Sequence, residues 1–222
     1  MSIQKPHLRK LLQFISMDEK QLSSELKKDI RAQNNITGGG RDFFGPFWRD
    51  VKDHIKGISD LTDQTAIRIN DSIYRKNLYP KLRDGFLLWW DNKRRWSNEK
   101  VSFLHNSVKG HYFTSKFDTS IKIENLLSLK LGNHTKKLIY PYFSETPKLT
   151  DESARVGLWL MKESLNEYDL EDIRILDVIR GKSFSISDTP LVGNEEFLFL
   201  KSYGHILSLR EKLIEEKNNK AA

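Results

Sequence analysis

The sequence predicts an α+β protein in which a helical N-terminal region is followed by a small, mostly antiparallel sheet packed by C-terminal helices. Three observations carry this. Apolar residues recur at three- and four-residue spacing up to about residue 100. Between residues 101 and 143 that period gives way to β-branched and aromatic residues with partial alternation. Cap and turn residues then reopen a helical pattern at Thr150 and again near Asn194.

Residues 1–36 read as an N-terminal helical arm, because Leu8, Leu11, Leu12, Ile15, Leu22, Leu26 and Ile30 fall on one stripe, with a break near Ser16 to Asp18. Residues 37–47 read as a Gly/aromatic loop that begins with Gly38, Gly39 and Gly40. The α+β core then spans 48–222. Helices are expected to about residue 100, with Pro80 marking a kink or a new helix start. A three-stranded meander follows over 101–143, with Gly132-Asn133 as a hairpin turn. Thr150 is the expected N-cap of a helix over 151–166, with Asp151 and Glu152 in its positive first turn and Ala154, Leu158, Met161 and Leu165 buried. Two short strands around Gly181 occupy 173–188, and a last helix, 194–217, should point Phe197, Leu200, Tyr203, Leu207 and Leu213 inward.

Hydrophobic residues make up 38% and charged residues 30% of the 222, which is too apolar for a disordered chain. The absence of cysteine removes disulfides, thiol nucleophiles and cysteine metal sites together, and fits a reducing cytoplasm. The first residues show no apolar leader core, and no apolar run has the length of a membrane span, so a cytoplasmic protein without a membrane partner is expected.

Net charge is +7, from 37 Lys and Arg against 30 Asp and Glu, which favours anionic partners. Most of that excess sits between Tyr74 and Lys100, where eight basic residues face three acidic ones. The core of this segment is FLLWWDNKRRWSNEK, residues 86–100. On a helix, Trp89 and Trp96 share a face with Phe86 and Trp90 beside them, while Arg94 and Arg95 project elsewhere. Cations interleaved with indoles suit a surface that tracks phosphates and stacks bases, so Lys93, Arg94, Arg95, Trp96, Arg75 and Arg83 are the candidate nucleic-acid-binding residues. The alternative is a helix whose tryptophans are core and whose cations are a solvated flank. DFFGPFW supplies Phe43, Phe44, Phe47 and Trp48, which would either dock the N-terminal helices or protrude as an anchor for a protein partner.

Other patterns are weaker. Gly38-Gly39-Gly40-Arg41 lacks the Lys-Ser/Thr of a phosphate-binding loop. The six histidines form no helical metal pair, and no nucleophile elbow occurs, so neither a metal nor a cofactor nor a small-molecule ligand is indicated. YPYF, 140–143, reads as a stacking platform or a strand end, and Arg180-Gly181-Lys182 as an anion-binding turn or a basic hairpin tip.

The order helix, three strands, helix, strand over residues 64 to 180 resembles the core of the PD-(D/E)xK restriction-nuclease-like fold. The resemblance covers about half the chain. It implies an acid opening one strand and Glu-x-Lys on the next, around a divalent metal. DTSIKIENLLSLK offers Asp118, Lys122, Glu124 and Lys130, but no Asp/Glu-x-Lys stands in that register, so the resemblance implies a divergent site. The functional expectation is a non-catalytic, nucleic-acid-associated accessory subunit of a larger bacterial-type assembly, contacting the phosphate backbone of DNA or RNA through a basic helix. The alternatives are an adaptor for an acidic protein partner and a divalent-metal-dependent nuclease.

Overall fold

The computed structural model describes residues 6–34, 42–93, 101–104, 108–132 and 135–219. The N-terminal stripe forms two helices, α1 (Leu8–Ile15) and α2 (Glu19–Asn34), which part at Ser16 to Asp18. After the Gly/aromatic segment come α3 (Gly45–Ile55) and α4 (Leu61–Asp71), the latter capped by the Asp60 carboxylate, which accepts from the N–H groups of Thr62 and Asp63. Pro80 sits in the first turn of α5 (Tyr79–Leu87), where its missing N–H costs nothing. The helix then widens into a π-helical turn over Leu88–Lys93.

The segment 101–143 holds five strands rather than the expected three. They are β1 (Val101–Phe103), β2 (Gly110–Thr114), β3 (Thr119–Ile123), β4 (Leu127–Leu131) and β5 (Thr135–Tyr142). The extra divisions part β1 from β2 and, at Glu124 to Leu126 with Asn125 in the left-handed region at φ 66°, β3 from β4, while the chain reverses between β2 and β3 at Asp118, φ 43°. β2 and β3 therefore pair only with each other, as a separate hairpin. Beyond them lie α6 (Asp151–Ser164), β6 (Ile173–Asp177), β7 (Lys182–Phe184) and α7 (Glu195–Asn219). The main sheet runs β1-β4-β5-β6-β7, antiparallel throughout except for the parallel pair β5 and β6 that α6 connects.

Both faces of this sheet are buried. Leu127, Leu129, Ile139 and Leu176 point to one side, against Phe47, Trp48 and Val51 of α3, Leu61 of α4 and Leu82 and Phe86 of α5. Leu138, Tyr140, Tyr142, Ile173 and Ile175 point to the other, against α1, α2, α6 and α7 and the inner side of the β2–β3 hairpin. The N-terminal helices thus line the same core as the C-terminal ones, with α1 on α6 and α2 on α7. Burying each such Leu, Ile or Phe contributes about 1.5–3 kcal/mol, so both layers are needed to hold the sheet. Among the described residues no helix is long and apolar enough to cross a membrane.

Local chemistry places α6 and α7. Thr150 accepts a hydrogen bond from the Ser153 N–H at 3.1 Å, and Ser153 Oγ accepts in turn from the Thr150 N–H, closing a reciprocal cap. Thr150→Ala should lower stability by about 1 kcal/mol in urea unfolding, with an unchanged fold by circular dichroism. On α7 the buried apolar residues are Phe199, Tyr203, Ile206 and Leu213, with Leu200 and Leu207 half-buried against the same core as expected, whereas Phe197 is exposed. Phe199 stacks on Tyr203 and meets Tyr112 edge-on.

Candidate functional site

The basic aromatic run divides between core and surface. Trp89 is fully buried beside Phe86, and Trp90 is half-buried, stacked on Phe86 at 6.0 Å and 15°. Lys93 ends the π-helical turn, and only its backbone is described; Arg94, Arg95 and Trp96 lie outside the described residues, as do Gly38 to Arg41. Arg75 lies over the Tyr79 ring at 5.4 Å and donates to the Arg68 carbonyl, and Arg83 pairs with Asp84 at 2.7 Å. Both arginines are therefore already engaged.

The turn at Arg180 to Lys182 is engaged as well. Arg180 clamps buried Asp177 at 2.9 Å and donates to the carbonyls of Ser144 and Glu145, and Lys182 reaches Asp151 at 3.1 Å. The clamp ties the end of β6 to the loop after β5. Tyr140, Pro141, Tyr142 and Phe143 are all buried, which makes YPYF a strand end and not a stacking platform.

Within DFFGPFW, Phe47 and Trp48 belong to the core, while Phe43 and Phe44 are half-buried at its rim. Phe44 stacks on Phe143 at 4.9 Å and 6°. That rim opens on a cleft of about 650 Å³, assembled from four segments far apart in sequence. One wall is a face of α3, where Trp48 and Arg49 lie three and four residues after Gly45, and Lys52 four and three residues after them. His7 and Arg9, at the start of α1, and Glu124 and Asn125, just after β3, also line it. The Pro6 carbonyl accepts from the Lys122 N–H at 2.9 Å, and His7 bridges to Lys122 in parallel register, so the chain leading into α1 is zipped to β3. The floor is Tyr140 and Pro141 of β5 with Phe143 beyond it.

Hydrogen bonds fix these walls. The Arg9 backbone N–H donates to the Tyr140 hydroxyl at 2.8 Å, and Trp48 Nε1–H donates to the Asn125 carbonyl at 2.7 Å. Asn125 stands in the left-handed region at φ 66°, which aims that carbonyl at α3. Burial pushes the Tyr140 phenol well above its ordinary value, so it stays a neutral partner.

Charge is unbalanced in the cleft. Arg9, Arg49 and Lys52 have no ion-pair partner among the described residues. Of the two acids, Asp42 is occupied by the Gly45 N–H at 2.9 Å, and Glu124 lies 3.9 Å from His7 Nδ1. Desolvation lowers the His7 pKa, with Lys122 and Arg9 pushing the same way against Glu124, so the imidazole is neutral at pH 7. Desolvation also pushes the Lys52 ammonium below its ordinary value, with Lys56 adding to the effect. A half-buried ammonium without a counter-ion is relieved by an anion, so the cleft is built to receive negative charge.

The resemblance-derived residues do not gather. Asp118, Lys122 and Glu124 lie on or beside the β2–β3 hairpin, whereas Lys130 is on β4 of the main sheet. Among the described residues no three His, Asp or Glu side chains converge as a metal site. Sequence reasoning named Phe43, Phe44 and Trp48, and Glu124 only as an acid of a metal site, but missed Arg9, Arg49 and Lys52. The one local signal was the helical spacing of Trp48, Arg49 and Lys52, which looks the same in any solvated helix. No family model matches the chain, and neither a curated protein nor a solved structure matches it.

Proposed function

We propose that this chain is a non-catalytic, nucleic-acid-associated binding module, an accessory subunit that grips the phosphate backbone. The observation that carries the reading is the convergence of Arg9, Arg49 and Lys52, none with an ion-pair partner among the described residues, on one ring-lined cleft. Guanidinium and ammonium groups neutralise phosphates, and aromatic walls favour flat rings over small inorganic anions. The basic run that ends in Lys93, Arg94 and Arg95 supplies a second stretch of positive charge in the same chain. The nuclease-like expectation rests on Asp118 and Glu124, which stand at the two ends of β3. Since its acids do not converge, the proposal is for binding and not for cleavage.

Fluorescence anisotropy with a labelled 20-nucleotide DNA or RNA probe tests this. Binding is expected at low salt and should weaken at least tenfold between about 50 and 200 mM salt as counterion release is lost. Absence of binding to every DNA and RNA probe at low salt overturns the reading.

A further inference from the structure

The cleft has a shape that a backbone-gripping surface does not need. Tracking phosphates along a duplex requires cations spread over several successive phosphates, whereas here they stand around one hollow of about 650 Å³ with rings in its walls. A paired base shows only its edges in the grooves, and its faces are covered by the stack. Rings and planar cations in a hollow can therefore engage a base face only when that base is unpaired.

The stacking plane can be identified. Phe143 lies parallel to Phe44 at 4.9 Å, and the Arg9 guanidinium lies over the Phe44 ring at 4.8 Å. Phe143 and the Arg9 guanidinium thus both pack on the Phe44 ring, and Arg9 is the planar cation of this group. Arg9 lines the cleft, and a guanidinium plane accepts a stacked base as an aromatic ring does. Arg49 and Lys52, three residues apart on one face of α3, line the same cleft. Glu124, with no hydrogen bond among the described residues, is the acceptor open to N–H groups on a base edge.

We infer that the cleft takes one unpaired nucleotide of a nucleic-acid strand, with its base stacked on the Arg9 guanidinium and its phosphate held by Arg49 and Lys52. This rests on the nucleic-acid reading above and narrows it to single strands.

The test compares a labelled single-stranded 15-mer with its blunt duplex, with adenosine monophosphate and inorganic phosphate as competitors. Wild type should bind the single strand about tenfold tighter or more, and adenosine monophosphate should displace it at concentrations where phosphate does not. Arg9→Lys keeps the charge and the Arg9 backbone bond to Tyr140 but removes the planar cation. It should cost the single strand about fivefold, leave the salt dependence unchanged, and leave duplex binding within about twofold. Phosphate competing as well as the nucleotide, or Arg9→Lys without effect, overturns the inference. Equal binding of both probes overturns it too while leaving the broader reading in place, and no binding to either at low salt removes both.

Discussion

Gly85→Ala should destabilise the protein by roughly 3 kcal/mol or more in urea unfolding, the largest effect expected of any single added methyl group. Gly85 lies on the buried side of α5, and a Cβ there would stand 2.1 Å from the Val178 carbonyl oxygen and 2.2 Å from that of Ile179. These are backbone atoms, so no rotamer change relieves the clash. The β6–β7 turn cannot easily retreat, because the Val178 N–H donates to the Tyr142 carbonyl at 2.9 Å and Arg180 clamps the same turn onto Asp177. Gly181 completes the fit with φ 53° and space for no side chain, since its own Cβ would come within 2.6 Å of the Gly85 oxygen. A loss below about 1 kcal/mol would mean that α5 does not lie on this turn.

Arg49→Glu combined with Lys52→Gln should lower nucleic-acid affinity on the order of 100-fold at low salt, with stability changed by less than about 1 kcal/mol. Neither side chain has an ion pair to lose among the described residues. Lys52 also stands at a site where burial and Lys56 already disfavour its charge, so neutralising it relieves the folded state. The glutamine keeps the first two of the four methylenes of the lysine stem. Circular dichroism and urea midpoints identical to wild type would separate lost binding from lost fold.

How legible the molecule was depended on how local each signal is. The break after Ile15, the helix start at Pro80, the Thr150 cap and the turn at Gly181 were readable because each is fixed by a few adjacent residues. The sheet was harder. β5 and β6 are apolar on both faces, so their runs do not alternate, and the break at Asn125 between β3 and β4 carries no glycine to mark it. Phe197 fitted a helical stripe by spacing alone, but Phe199 is the residue that packs. In FLLWWDNKRRWSNEK the apolar spacing did mark a packed face, since Phe86 and Trp89 are buried.

The candidate site was almost illegible for the opposite reason. His7 and Arg9, the start of α3, Glu124 and Asn125, and the end of β5 are brought together only by tertiary structure. No window of sequence contains them. Local charge density drew attention to residues 93–96, whereas the described cations without ion pairs that share a hollow come singly or in pairs from separate segments.

The most direct test is the slope of log affinity against log salt for a single-stranded probe, measured on wild type and on the Arg49→Glu, Lys52→Gln variant. If both side chains hold one phosphate, the wild-type slope is steep and the variant slope is shallower by about 0.7, the value for one neutralised phosphate on a single strand. Parallel lines for the two proteins would contradict the account, because the charge that binds nucleic acid would then lie outside the cleft.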